Sequence, residues 1–219
     1  FMLEGATVVF LPDVVVFGHL ALLVLFLVSA WGARLSWNWT VGWGGLAHED
    51  WRYEKLRADT GALYPLVNLS GIHLFPTALV YGGCLPLWFV GSSQRPLGLL
   101  DALAAAVTGL SIVIEATADR QKREFLQLSE EPTAVCERGL WAYSRHPNYL
   151  GEIGFWVGVF LFGLAADPSA WWTGVGAASM LLLFVFISIP MLEKRQLARR
   201  SGYRSYIDRV GMLLPWRAS

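Results

Sequence analysis

Five long apolar runs, at about 14–33, 71–90, 97–118, 147–166 and 171–192, constrain this chain more than any other feature. Each approaches the ~20 helical residues needed to cross a ~30 Å hydrocarbon core. In lipid a segment must satisfy its own backbone, so runs this long and continuous read as helices. The expected fold is all-α: a polytopic membrane helical bundle with five transmembrane helices. One integral membrane domain spans 1–219, and 193–219 forms a cytoplasmic tail. Composition agrees, since 55% of residues are hydrophobic, only 16% are charged and the mean hydropathy is +0.46, whereas soluble domains are nearer a quarter charged. Tryptophan, at 11 of 219 residues, suits bilayer interfaces.

The basic residues orient the bundle. Sixteen of the seventeen Lys and Arg fall in 34–70, 119–146 and 193–219, leaving only Arg95 elsewhere. With five alternating spans these three segments share one face, which the positive-inside rule makes cytoplasmic. The expected product is a multi-pass protein of a bacterial inner membrane or endoplasmic reticulum with its C-terminus in the cytoplasm. Trp37, Trp39, Trp43 and Trp51 should line that interface, and Trp88, Trp171 and Trp172 the opposite one. The segment from Arg34 to Ser70 should fold back against the helix ends. The tail should run as a helix from Glu193 to a break at Ser201-Gly202, then continue as a short second piece. Formal net charge is zero, so no global field points to nucleic acid. The chain opens on Phe1 without a basic n-region or cleavage site, so no signal peptide is expected; a piece of a longer protein is one reading of that start. Cys84 and Cys136 lack metal-ligand spacing and read as plain core or surface residues.

Ionisable groups inside the spans are His19, His73, Glu115 and Glu152. A charge at the bilayer centre costs at least ~2.5 kcal/mol, so such groups face a cavity or a partner. Glu152 lies about a turn and a half into the fourth span, with Asn148 and Tyr149 on its side of the helix. Pro147 suits the first turn, and Arg145 and His146 precede an end whose free N–H groups favour an anion. The plainer reading is a structural network, with Arg145 and His146 meeting lipid phosphates. His19 and His73 read as satisfied structural imidazoles. In ADRQKREF (118–125), Asp119, Lys122 and Arg123 share a face. In EKRQLARRSGYRSY (193–206) arginines and tyrosines alternate, as they would on a membrane-surface helix or against phosphates and a base. There is no GxGxxG after a strand, no P-loop, no metal cluster and no G-x-S-x-G.

ADRQKREF, then GLWAYSRHPNYLGE, then EKRQLARRSGYRSYIDRV ending in LLPW, together resemble the steroid 5α-reductase-like family of membrane reductases. RLSWNW and GLAHEDWRY look like its bacterial branch, so the resemblance runs from about residue 30 to 216. RHPNYLGE with an upstream QK..F is also similar to the sterol Δ14/Δ7 reductases of the same superfamily. The resemblance implies NADPH in a cytoplasm-facing cavity covered by the tail, and a lipophilic enone arriving from the bilayer. It places His146, Asn148, Tyr149 and Glu152 along the cofactor, and Asp119, Lys122, Arg123, Trp141 and Arg145 around its ribose and phosphates. Arg34, Asn38, Glu193, Arg199, Tyr203 and Tyr206 would close the pocket.

The implied chemistry is hydride transfer to the β-carbon of a conjugated ketone, the protein orienting the rings and polarising the carbonyl oxygen. The steroid enzymes carry two further N-terminal spans, one with a carboxylate that works with a tyrosine on the ketone; if Arg34 is in register, that tyrosine position is Trp31. Tyr149 and Glu152 are the nearest substitute acids. A shorter form of the RHPNY motif occurs in isoprenylcysteine and phospholipid methyltransferases that use S-adenosylmethionine, which gives the alternative activity. A third reading is a non-catalytic membrane subunit that keeps the fold and binds membrane-protein partners. Lipids are expected neighbours in every case.

Overall fold

The third span buries an unusual face. Asp101, Ala104, Thr108, Ser111, Glu115 and Ala118 point inward, while Leu103, Leu110 and Val113 of the same helix are exposed. Lipid tails are as apolar as leucine, so they cover the large side chains, and helix association falls to small and polar residues. The partner face is Gly151, Gly154 and Gly158 in the fourth span. A Cβ on Gly151 would strike Glu115 and Ser111, one on Gly154 would strike Ser111, and one on Gly158 would strike Thr108.

The computed structural model describes residues 18–45, 51–131 and 133–214. Among them are five helices long and apolar enough to cross a membrane: α1 His19–Gly42, α2 Trp51–Ser92, α3 Leu99–Leu128, α4 Pro147–Ala166 and α5 Pro168–Arg199. A short α6, Tyr203–Arg209, follows. No strand forms among these residues, so the all-α bundle expected from the apolar runs is the fold. The α3–α4 pair is the most extensive contact; α1 packs on α3, and α2 and α5 pack on α4 and on each other. Gly176 of α5 meets the backbone of Gly82 and Gly83 in α2, and Gly83 lies under the Trp156 ring.

The boundaries differ from the apolar runs in instructive places. The fourth span is as expected, with Pro147 in its first turn. α1 continues as helix to Gly42, so Arg34 and Asn38 stand on a transmembrane helix and not in a folded-back loop. Likewise α2 begins at Trp51, well before its apolar stretch. Polar helical turns protruding at the interface carry no hydropathy signal, and the exposed Trp37, Trp39 and Trp43 cover that part of α1. Two stretches are π-helical, Asn68–Leu74 and Phe184–Ser188, just ahead of Pro76 and Pro190, whose missing N–H groups fit a widened turn. His19 is exposed, and His73 is also exposed, with Nδ1 3.1 Å from the Asn68 carbonyl of its own helix. Residues 14–17 of the expected first span, 46–50 of GLAHEDWRY and 215–219 of the tail lie outside the described residues.

The late turns of α1, α3 and α5 and the first turns of α2 and α4 lie at one end of the bundle, so the three basic segments gather there. Arg95, the exception, forks onto Asp101 at 2.8 and 2.7 Å. That carboxylate also accepts from the Gly98 N–H at 2.7 Å and caps α3.

Gly158→Val wedges α3 away from α4. The expected result is a loss of about 1–3 kcal/mol of stability, read by thermal unfolding in detergent. Gly109→Ala, where a Cβ meets nothing, should leave the transition in place.

Candidate functional site

Close approach of α3 to α4 sets Glu115, 1% exposed, beside Glu152. A buried carboxylate needs a partner, since an uncompensated charge in a low-dielectric interior costs several kcal/mol. Arg34 of α1 supplies it. Its guanidinium pairs with Glu115 through Nη2 and with Asp119 through Nη1 at 2.9 Å, and it lies 3.8 Å from Glu152. Three carboxyl groups therefore share one guanidinium. Glu152 is held further by two indoles, Trp31 Nε1 donating to Oε2 at 3.2 Å and Trp156 Nε1 to Oε1 at 2.9 Å. Trp31 stacks on Phe155 at 4.4 Å. These rings close the cavity towards the bundle core.

The cavity measures 220 Å³ and is lined by Arg34, Asn38, Glu115, Asp119, Asn148, Tyr149 and Glu152, with Leu35 and Phe184 completing the wall. Tyr149 stacks between His146, at 5.6 Å, and Phe184, at 4.6 Å, in the π-helical stretch. Arg123 donates to Asn38 and ties α3 to α1. Among the described residues, the acceptors Asn148 Oδ1 and Glu115 Oε1 and the donor Arg34 Nε are buried without a hydrogen-bond partner. Unmet acceptors in a polar cavity are uncommon in a finished interior.

A second cavity of 60 Å³ lies on the other side of the α4 N-terminus, with Lys122, Cys136, Trp141, Arg145, His146 and Tyr203 in its wall. Lys122 Nζ sits 4.7 Å from the Trp141 ring centre, and among the described residues no carboxylate lies within ion-pair distance of it. Gln196 and Arg200 are shared with a wider basic recess of 460 Å³ that also holds Arg195 and Arg199. Asp119 and Lys122, one face by sequence spacing, thus open into different cavities. Arg199 is exposed and stands apart from the carboxylate cluster.

The tail is strapped over this end. Arg145 and His146 donate their backbone N–H groups to Gly211 and Met212 carbonyls at 2.9 and 3.2 Å. The Arg145 guanidinium reaches Glu193 at 2.7 Å, Ile207 O at 3.2 Å and Val210 O. Tyr206 donates its hydroxyl to Trp141 O at 2.5 Å and reaches Ser144 O at 3.3 Å; burial pushes that phenol above its ordinary value. His146 Nε2 lies 3.0 Å from Glu193 Oε1; the carboxylate only accepts, so Nε2 carries the proton. Burial holds the His146 imidazole below its ordinary 6.5, Arg145 and Lys122 act in the same direction, and Glu193 opposes them. Trp141 Nε1 donates to Ala118 O at 3.0 Å and anchors the loop to α3. Gly139 has φ +61 and packs on Gln121, a position that demands glycine.

The residues picked out by motif therefore divide between two neighbouring cavities. Asn148, Tyr149 and Glu152 share the carboxylate cavity with Arg34, Asn38 and Asp119, whereas Arg145, His146 and Glu193 form the strap. Glu115 stood out in the sequence as a carboxylate in an apolar run, but nothing local announced its partner. Trp156 carried no signal, Trp31 was reached only through the register of Arg34, and Gln196 and Arg200 lay in the tail motif without being picked out, because their roles come from helices far apart in the chain.

Fold and site together define a multi-pass helical membrane protein with a polar cavity at the basic end of its bundle. The chain belongs to the family described as "Protein of unknown function (DUF1295)", whose model matches residues 6–210. It is 28% identical over 220 residues to uncharacterized protein C594.04c of Schizosaccharomyces pombe, a match covering 89% of this chain and 63% of that protein. It is 37% identical over 83 residues to methanethiol S-methyltransferase 1 of Bradyrhizobium diazoefficiens, covering 36% of this chain and 26% of that one. The chain thus spans less than two thirds of the length of either relative. No solved structure matches it. The second similarity supports the superfamily of steroid 5α-reductase-like and isoprenylcysteine-methyltransferase-like membrane proteins; it does not extend to the reductase branch.

Two outcomes test the strap. Tyr206→Phe removes a buried donor from two carbonyls and should cost about 1–2 kcal/mol in thermal or denaturant unfolding. A histidine whose folded value is depressed stabilises the fold above its unfolded value, and that contribution disappears as pH falls through the folded one. Stability should therefore decline as pH drops below 6.5, and His146→Gln should flatten that decline.

Proposed function

We propose that this chain is a membrane-embedded methyltransferase that uses S-adenosylmethionine on a lipophilic nucleophile, a thiol in the first instance. The observation that carries this reading is the carboxylate excess. Glu115, Asp119 and Glu152 surround one guanidinium at a cavity whose buried Asn148 oxygen lacks a donor. Such a cavity favours a cationic ligand, and S-adenosylmethionine brings both a sulfonium and an ammonium. When bound, that cofactor supplies an electrophilic methyl group, which a thiolate accepts while a neutral thioether leaves, with no net redox change.

The chain's own residues do the rest. Glu115, Asp119, Glu152 and Asn148 would hold the cationic groups, and the Tyr149 and Phe184 faces would flank the ligand. Trp31, Phe155 and Trp156 would keep water from the core side. Glu152 accepts two indole hydrogen bonds, one at each oxygen, and lies beside Arg34. The similarity to a methyltransferase over 83 residues supports the methyl-transfer reading. We also propose that the basic end faces the cytoplasm, by the positive-inside rule, so that the cofactor enters from there and the substrate from the bilayer.

Hydride transfer from NADPH to a lipophilic enone is the second reading, and one observation favours it. Among the described residues Lys122 lies without a carboxylate partner, in a cavity that shares Gln196 and Arg200 with the recess of Arg195 and Arg199, a setting suited to a cofactor's phosphates. The two readings separate in one experiment on the full chain in nanodiscs. Saturable binding of S-adenosylmethionine, with no saturable binding of NADPH, is the expected result, followed by transfer of a labelled methyl group to an alkanethiol. Saturable NADPH binding that S-adenosylmethionine does not displace would replace the first reading by the second. Indifference to both cofactors would leave the non-catalytic subunit.

A further inference from the structure

Glu115 has features that mere helix packing does not require. It is 1% exposed, its Oε2 pairs with Arg34, and its Oε1 has no hydrogen-bond partner among the described residues. It lines the 220 Å³ cavity together with Asn148 and Glu152. An alanine or a glutamine would satisfy the steric demand of Gly151 at least as well, without burying a carboxyl group among two others. A bound cation relieves that crowding; a neutral ligand of the same shape does not.

Resting on the methyl-transfer reading, we infer that Glu115 is the specificity-determining residue by which the cavity selects a sulfonium cofactor over its neutral thioether product. Arg34 sets the opposing bias, because its charge repels a bound cation while it neutralises the acids. The balance between the two decides how strongly the spent cofactor is discriminated against, and so how readily it is exchanged for a fresh one. One opposite charge at ~4–6 Å shifts an ionic equilibrium by about ten- to a thousandfold. The lower end suits a cavity open to water at one side.

The test is the ratio of affinities for S-adenosylmethionine and S-adenosylhomocysteine, measured by calorimetry or equilibrium dialysis on the full chain in nanodiscs. The two ligands differ only by the methyl group and its charge. E115Q should lower the preference for the sulfonium by about tenfold, almost entirely through weaker binding of S-adenosylmethionine. R34Q should raise it. Structural damage would weaken both ligands alike, so equal losses in E115Q, or a shift of R34Q in the same direction, would overturn the inference. If E115Q does not fold, D119N, whose carboxylate shares Arg34 and is 15% exposed, should give a smaller drop of the same sign; an unchanged ratio there overturns it too. A wild-type chain that binds neither ligand would overturn the methyl-transfer reading itself, and the inference with it.

Discussion

The close packing of α3 on the glycines of α4 sets the terms for the rest of this molecule. Gly151, Gly154 and Gly158 let Glu115, Ser111 and Thr108 pass within a distance that any larger residue would forbid. Glu115 is thereby taken out of water, and a carboxylate in that position requires a cation and favourable geometry. Arg34 answers the demand from α1, which fixes the first helix against the α3–α4 pair. Trp31, one turn earlier on α1, then falls against Glu152 and Phe155. One steric permission leads to a polar cluster made by three helices.

Charge is divided around the start of α4. On one side, carboxyl groups outnumber the guanidinium; on the other, Lys122, Arg145 and Arg200 gather under the tail. The strap from Glu193 to Met212 is tied beside the second space by backbone hydrogen bonds and the Arg145–Glu193–His146 cluster. A ligand with a cationic part and an anionic or aromatic part would find both environments within one end of the bundle.

Motif spacing located the cluster but not its connections. Asn148, Tyr149 and Glu152 lie on one side of α4 because three and four residues make about one turn, and all three line the cavity. Asp119 and Lys122 obey the same spacing, yet they look into different spaces. Residues three apart differ by about 60° around a helix, enough for a neighbouring helix to stand between them. Arg34 was legible as a functional candidate through resemblance and not as a helical residue, because the polar turns after it lack apolar periodicity.

What the sequence determined by itself was the number of spans, their helical state and the gathering of basic ends on one side. Those follow from backbone satisfaction in lipid and from charge placement, both of which are local properties of the chain. Which carboxylate meets which cation was decided only by the tertiary structure. The Arg34–Glu115 and Trp31–Glu152 contacts join helices 81 and 121 residues apart, and no local rule fixes the rotation at which those helices face each other. Glycine packing does, by choosing the one rotation that brings α3 and α4 into contact and buries the acid between them.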